Sequence, residues 1–111
     1  MTEYTPDSWV VIKMTHKDQI IYKVLGGWSG SYVDGSSWRL NSGTTKAEYD
    51  ISNDVWRFHG SSGSVYIVDP DNYGVRMATA NIWNTMKTTY PDNVELLDNQ
   101  DWSKFDFGVS I

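Results

Sequence analysis

The sequence predicts a single β-rich α+β domain over residues 1–111, in which one twisted antiparallel sheet, a partly closed meander, is covered by one C-terminal helix. Three observations lead to this class. Short runs of alternating apolar and polar residues recur between turns rich in Gly, Ser and Asn. One segment, near residue 80, spaces its apolar residues as an amphipathic helix does. The length of 111 residues suffices for one hydrophobic core but not for two.

The first two strands are predicted over residues 9–14 and 19–25, joined by a polar hairpin connection at residues 15–18. Both strands are apolar on both faces, so each face needs a cover. One predicted face carries Val10, Ile12, Met14, Ile20, Tyr22 and Val24, and the other carries Trp9, Val11, Ile21 and Leu25.

A Gly/Ser-rich loop is predicted over residues 26–35, and a meander of four strands follows it, over residues 36–41, 44–50, 55–59 and 64–68. The predicted apolar face carries Trp38, Leu40, Thr45, Ala47, Tyr49, Trp56, Phe58, Val65 and Ile67. The predicted polar face carries Arg39, Asn41, Lys46, Glu48, Asp50, Arg57 and His59. On this register Trp38 is expected to belong to the core.

The predicted helix begins after Thr79 as N-cap and ends at Pro91. Its apolar stripe is Ile82, Trp83, Met86 and Tyr90, and we expect it to cover one face of the first hairpin. The acidic tail that follows is expected to pack as extended structure, because its carboxylates at 92, 95, 98, 101 and 106 alternate with leucines and aromatic residues.

Composition and motifs exclude several classes of function. The chain has no cysteine, so thiol catalysis, disulfides and cysteine-based metal sites are absent. A net charge of −5 argues against binding to duplex nucleic acid or to an anionic membrane. The sequence shows no signal peptide and no long apolar run, which predicts a cytoplasmic location.

No catalytic or phosphate-loop motif is present, so we expect no enzyme activity, no metal and no cofactor. Residues 69–74 resemble a calcium loop only at their acids and glycine, and a Pro-containing β-turn is the better interpretation. His59 beside Glu48 or Asp50 could form an oriented base, although no nucleophile accompanies it.

The candidate site is a small-ligand site of nucleotide-like chemistry. Gly/Ser loops allow backbone N–H groups to approach an anion, arginine binds phosphate, and aromatic faces stack on bases. Trp28 is the strongest indicator, since the strand pattern does not account for it. The candidate residues are Trp28, Ser29, Trp38, Arg39, Arg57, His59 and Ser61.

The segments Tyr22-Lys23-Val24-Leu25-Gly26-Gly27-Trp28-Ser29-Gly30 and Trp38-Arg39-Leu40-Asn41-Ser42-Gly43 resemble small proteins of tailed bacteriophages. The resemblance implies an anti-defence protein that sequesters a cyclic nucleotide immune signal in the host cytoplasm without hydrolysing it. By the same resemblance, Trp28, Arg39 and Arg57 would stack on bases and pair with phosphates.

Three alternatives remain open from the sequence. The first is a protein-interaction inhibitor that uses aromatic anchors and the acidic C-terminal segment. The second is a carbohydrate-binding module, and the third is a hydrolase centred on His59. Exposed aromatic residues and an uncovered strand face also suggest a homodimer.

Overall fold

The computed structural model describes residues 2–31 and 35–108. Within these residues the chain forms eight strands, one α-helix and two short 3-10 helices. The strands are β1 (Glu3–Tyr4), β2 (Ser8–His16), β3 (Gln19–Ser31), β4 (Gly35–Leu40), β5 (Thr44–Asp50), β6 (Val55–Gly60), β7 (Val65–Val68) and β8 (Val94–Leu96). The helix α1 is Met77–Thr89, and the 3-10 helices are Pro70–Asn72 and Trp102–Lys104.

The strands form two four-stranded sheets, so the prediction of a single sheet is wrong. The first sheet has the order β4-β3-β2-β8, and the second has the order β1-β7-β6-β5, with β1 parallel to β7. Strands β5, β6 and β7 form the expected meander, but β4 pairs with β3 instead of β5. The chain changes sheets at residues 41–43, where Gly43 adopts a φ of 131°. In this arrangement neither sheet closes on itself.

The hairpin β2–β3 has a different register from the one predicted. Its turn consists of Lys17 and Asp18 alone, both at positive φ, so His16 pairs with Gln19 and Val10 lies opposite Leu25. Leu25 therefore shares a face with Val10, so the prediction that Val24 lies on that face is wrong. A change of one residue in register moves every side chain of a strand to the other face.

The main core lies between the two sheets, so the fold is a β-sandwich with a helix on one outer face. Its buried residues are Trp9, Val11 and Val24 from the first sheet, Trp56, Phe58, Tyr66 and Val68 from the second, and Trp102 and Phe107 from the C-terminal segment. Tyr66 and Val68 face this core because they pair with Phe58 and Trp56. The prediction that Val65 and Ile67 face it is wrong for the same reason.

Helix α1 covers the outer face of the first sheet, as predicted. Trp83 and Met86 pack on Val10, Ile12 and Leu25 in a second buried cluster. The helix begins earlier than expected because Arg76 is the N-cap and the Thr79 hydroxyl accepts a hydrogen bond from the Arg76 backbone N–H at 3.2 Å. Its end agrees with the prediction, since Tyr90 is the C-cap and Pro91 follows. Tyr90 itself is 56% exposed, so the predicted apolar stripe is one residue too long.

The segment before the helix and the tail after it both pack onto the sandwich. The Tyr73 hydroxyl accepts from the Val11 N–H at 3.0 Å and donates to the Leu97 carbonyl at 2.5 Å. A 3-10 helix capped by Asp69 stands where a β-turn was predicted. Trp102 is fully buried, which confirms that the acidic tail is packed rather than trailing. No helix among the described residues has both the length and the apolar character needed to span a bilayer.

Candidate functional site

A cleft of about 780 Å³ opens between the two sheets. Its walls come from both sheets and from the turns that follow β4 and β6. The residues that line it are Thr2, Tyr4, Lys23, Arg39, Leu40, Asn41, Ser42, Ser62, Gly63, Ser64 and Tyr66. None of these lining residues is acidic, although the whole chain carries a net charge of −5.

Asn41 fixes the chain where it crosses from one sheet to the other. Its side chain is buried, and Oδ1 accepts from the Val24 N–H at 2.9 Å and from the Gly43 N–H at 3.2 Å. Its Nδ2 donates to the Thr44 hydroxyl at 3.1 Å. The prediction that Asn41 lies on an exposed polar face is wrong, because its amide continues the hydrogen bonding of β4 after that strand ends.

Hydroxyl groups from two turns meet at one end of the cleft, which we call the serine end (Ser42, Ser62 and Ser64). The Ser42 hydroxyl oxygen accepts from the Ser61 hydroxyl and from the Ser62 N–H, both at 3.0 Å. A hydroxyl has two lone pairs and one proton, so with both lone pairs used Ser42 is left as a donor. Gly63, at a φ of 94°, adds no side chain and leaves this turn open. The serine end therefore favours a ligand that accepts hydrogen bonds.

Two cationic residues, Lys23 and Arg39, also line the cleft. They come from opposite faces of the first sheet, because Arg39 lies opposite Gly26 and Lys23 lies opposite Ile12. Among the residues that the structure describes, no carboxylate oxygen lies within 4.0 Å of either cation. Arg57, by contrast, is paired with two carboxylates. The charge of the cleft is consequently available to an anionic ligand.

Aromatic rings form the other end of the cleft, which we call the tyrosine end (Tyr4 and Tyr66), and Trp28 packs against Tyr4 outside the lining. The Tyr4 ring centroid lies 5.1 Å from that of Tyr66 and 6.4 Å from that of Trp28. The Arg39 guanidinium lies over the Tyr4 ring, 4.6 Å from its centroid. Burial raises the pKa of Tyr66 to about 12, against the opposing effect of Arg39, so Tyr66 stays protonated and neutral.

Trp28 lies in strand β3 opposite Ser37, so the loop predicted over residues 26–35 is wrong for residues 26–31. Residues 32–34 of that loop lie outside the described residues. Gly26 and Gly27 lie in a strand rather than a loop, and they are glycines because neighbouring side chains leave no room for a Cβ. A Cβ on Gly26 would lie 2.9 Å from Pro6, and one on Gly27 would lie 2.8 Å from Thr79.

The structure divides the predicted site residues between different surfaces. Arg39 lines the cleft, Trp28 supports Tyr4 at its edge, and Ser61 donates to Ser42. The Ser29 N–H donates to an Asp7 carboxylate oxygen at 2.8 Å, outside the cleft lining. Trp38 lies opposite Gly27 on the face that carries α1, and it is 47% exposed instead of belonging to the core.

Arg57 and His59 face away from the cleft, on the outer surface of the second sheet. They alternate along β6 with Trp56 and Phe58, which take the core positions. Arg57 pairs with Asp50 at 3.2 Å and with Glu3 at 3.7 Å. The predicted proximity of His59 and Glu48 is confirmed, with Nε2 at 2.5 Å from Oε1. This hydrogen bond and the nearby Lys46 lower the pKa of Glu48.

Most residues of the cleft carry no signal in the sequence that marks them as site residues. Tyr4, Lys23, Ser42 and Tyr66 are not among the predicted site residues, because strands distant in sequence bring them together. Trp102 and Phe107 of the acidic C-terminal segment are buried in the main core. The described residues contain no group of three His, Asp or Glu side chains placed to hold a metal ion.

Comparison with protein-family models, with curated proteins and with solved structures found no match to this chain. The cleft is therefore interpreted from its own chemistry.

Proposed function

We propose that this protein binds a small nucleotide-like ligand in the cleft between its sheets and holds it without converting it. The observation that carries the proposal is the cleft lining, which combines two cations, serine hydroxyls and an aromatic ring without any acidic residue. Its volume of about 780 Å³ falls in the range of small-molecule sites. Cations and hydroxyl donors suit a phosphate, and aromatic rings suit a base.

The placement of the titratable groups supports binding over catalysis. General acid–base chemistry most often uses His, Asp or Glu, and the described lining contains none of these. Its titratable groups are Lys23, Tyr4 and Tyr66, and burial raises the pKa of Tyr66 to about 12, far from neutral pH. The hydrogen-bonded pair His59 and Glu48 lies on the outer face of the second sheet. The Ser42 hydroxyl is hydrogen-bonded to Ser61 and Ser62, not to a base that could activate it.

The resemblance to tailed-bacteriophage proteins extends the proposal to a biological role. A cyclic nucleotide that serves as an immune signal carries the phosphate and base that this cleft suits, and sequestering it requires affinity but no turnover. In that role the protein acts in the host cytoplasm.

The homodimer remains a prediction. Helix α1 covers one of the strand faces that suggested it, and the exposed Trp38 remains, so size-exclusion chromatography with light scattering is the direct check.

The proposal is tested by calorimetric titration of cyclic AMP, cyclic dinucleotides, AMP and glucose, followed by chromatography of the recovered compound. We expect at least one nucleotide to bind and to be recovered intact, and glucose not to bind. Lys23→Gln should lower the affinity about tenfold or more, the scale of a hydrogen bond to a charged group.

Lys46→Gln is the matched control, because Lys46 is an exposed lysine on the outer face of the second sheet. A lack of binding by every nucleotide, or an equal loss in Lys46→Gln, would refute the proposed site. Recovery of a cleaved nucleotide would show an enzyme instead.

A further inference from the structure

The two ends of the cleft are chemically different and lie a short, fixed distance apart. Ser64 directly precedes β7, and Tyr66 is the second residue of that strand. An extended chain advances about 3.3 Å per residue, so these two positions are about 7 Å apart along the strand. Tyr4 pairs with Tyr66 and shares its end of the cleft.

We infer that the ligand binds in one orientation, with a phosphate at the serine end and its base on the Tyr4 ring. The inference rests on the proposed function and narrows the ligand class to nucleotides, as against sugar phosphates or inorganic phosphate. A ribose joins phosphate and base in a nucleotide, and it is the unit that spans a gap of this length. The Ser42 donor lies at the serine end, where the phosphate is placed, and Lys23 is a further cation of the cleft lining.

Binding in this orientation requires Arg39 to move. Its guanidinium occupies one face of the Tyr4 ring, while Tyr66 and Trp28 contact the ring elsewhere. Arg39 is exposed, so its side chain has room to leave. The base then takes the place of the guanidinium on Tyr4, and the guanidinium turns to the phosphate, where a charged contact replaces the cation–π contact.

The orientation is tested first with the wild-type protein and two partial ligands, inorganic pyrophosphate and adenosine. Each of the two should compete with cyclic AMP, because each occupies a part of the site that cyclic AMP fills. Pyrophosphate and adenosine should not displace one another, because they occupy different ends. Mutual displacement would overturn the inference while leaving the proposed function intact, whereas a wild type that binds no nucleotide would overturn both.

Variants of Tyr4 give the second test. Tyr4→Leu keeps apolar bulk but removes the aromatic face, so it should weaken cyclic AMP binding about tenfold, as loss of one base stack does. The same variant should bind pyrophosphate as tightly as the wild type, and Tyr4→Trp should restore cyclic AMP binding. Tyr49→Leu is the control, since Tyr49 is 42% exposed and does not line the cleft. An equal loss for both ligands in Tyr4→Leu, or no recovery in Tyr4→Trp, contradicts the inference.

Discussion

Replacing Asn41 by alanine tests whether the crossing between the sheets depends on one side chain. Asn41 is 3% exposed and makes three side-chain hydrogen bonds, to Val24, Gly43 and Thr44. Alanine removes all three and leaves two buried backbone N–H groups without an acceptor. Each such group costs about 1–3 kcal/mol. We expect Asn41→Ala to lower the free energy of unfolding by about 3 kcal/mol.

The matched control is Asn53→Ala. Asn53 also bonds through its side chain, donating to Asp50 at 2.9 Å, but it is exposed in the turn after β5. Its replacement should change stability by less than about 0.5 kcal/mol, as is usual for surface positions.

Urea unfolding followed by tryptophan fluorescence measures both variants. The midpoint of Asn41→Ala should fall with an unchanged m-value, and its melting temperature should drop by roughly 10 °C. A loss below about 1 kcal/mol, or one equal to that of Asn53→Ala, would contradict the role given to Asn41.

Three further predictions concern the core, the helix contact and the response to acid. Trp102→Ala should cost about 3–5 kcal/mol, whereas Trp38→Ala should cost well under 1 kcal/mol, because Trp102 is fully buried and Trp38 is 47% exposed. Equal losses in urea midpoints would show that Trp38 is a core residue after all. Gly27→Ala should cost about 1–3 kcal/mol, since its Cβ would lie 2.8 Å from Thr79 and 3.0 Å from Ala78, and an unchanged melting temperature would show that α1 is not held this closely. Folding lowers the pKa of three carboxyl groups, mainly through side-chain hydrogen bonds. Glu48 is bonded to His59, Asp50 to Asn53 and Asp101 to Ser103. The stability from these bonds is therefore complete above the unfolded-state pKa values and is lost as pH falls below them through the lowered folded-state pKa values. Asp50→Asn should make urea midpoints less dependent on pH in this range, and an unchanged slope would contradict the assignment.

The strands and their local order follow from the sequence because hydrophobic alternation is a local signal. The segments 44–50 and 55–59 are strands with the predicted faces at Trp56 and Phe58. The cover of the first hairpin by α1 was also predictable, since an apolar helix stripe and an uncovered strand face each need a partner. The pairing of His59 with Glu48 follows from their places on adjacent strands of one meander.

The cleft could not be predicted because it depends on pairings between distant parts of the chain. Alternation shows which side chains share a face but not which sheet a strand joins, so β4 was assigned to the meander. The N-terminal residues form β1 only because β7 offers a free edge, and that pairing places Tyr4 opposite Tyr66. Glycines 26 and 27 predicted a loop, but they lie in a strand. Pro6 and Thr79 approach that strand so closely that only glycine fits at these two positions.

The change of sheet at residues 41–43 decides both the fold and the chemistry of the cleft. In a single meander Arg39 would lie on the same polar face as Arg57, beside the carboxylates that neutralise Arg57. Because β4 belongs to the other sheet, Arg39 instead faces Tyr4 across the sandwich, and Asp50 and Glu3 remain with Arg57. An acidic protein can thus keep a cationic cleft, because its topology separates the cations of the cleft from the carboxylates of the outer face.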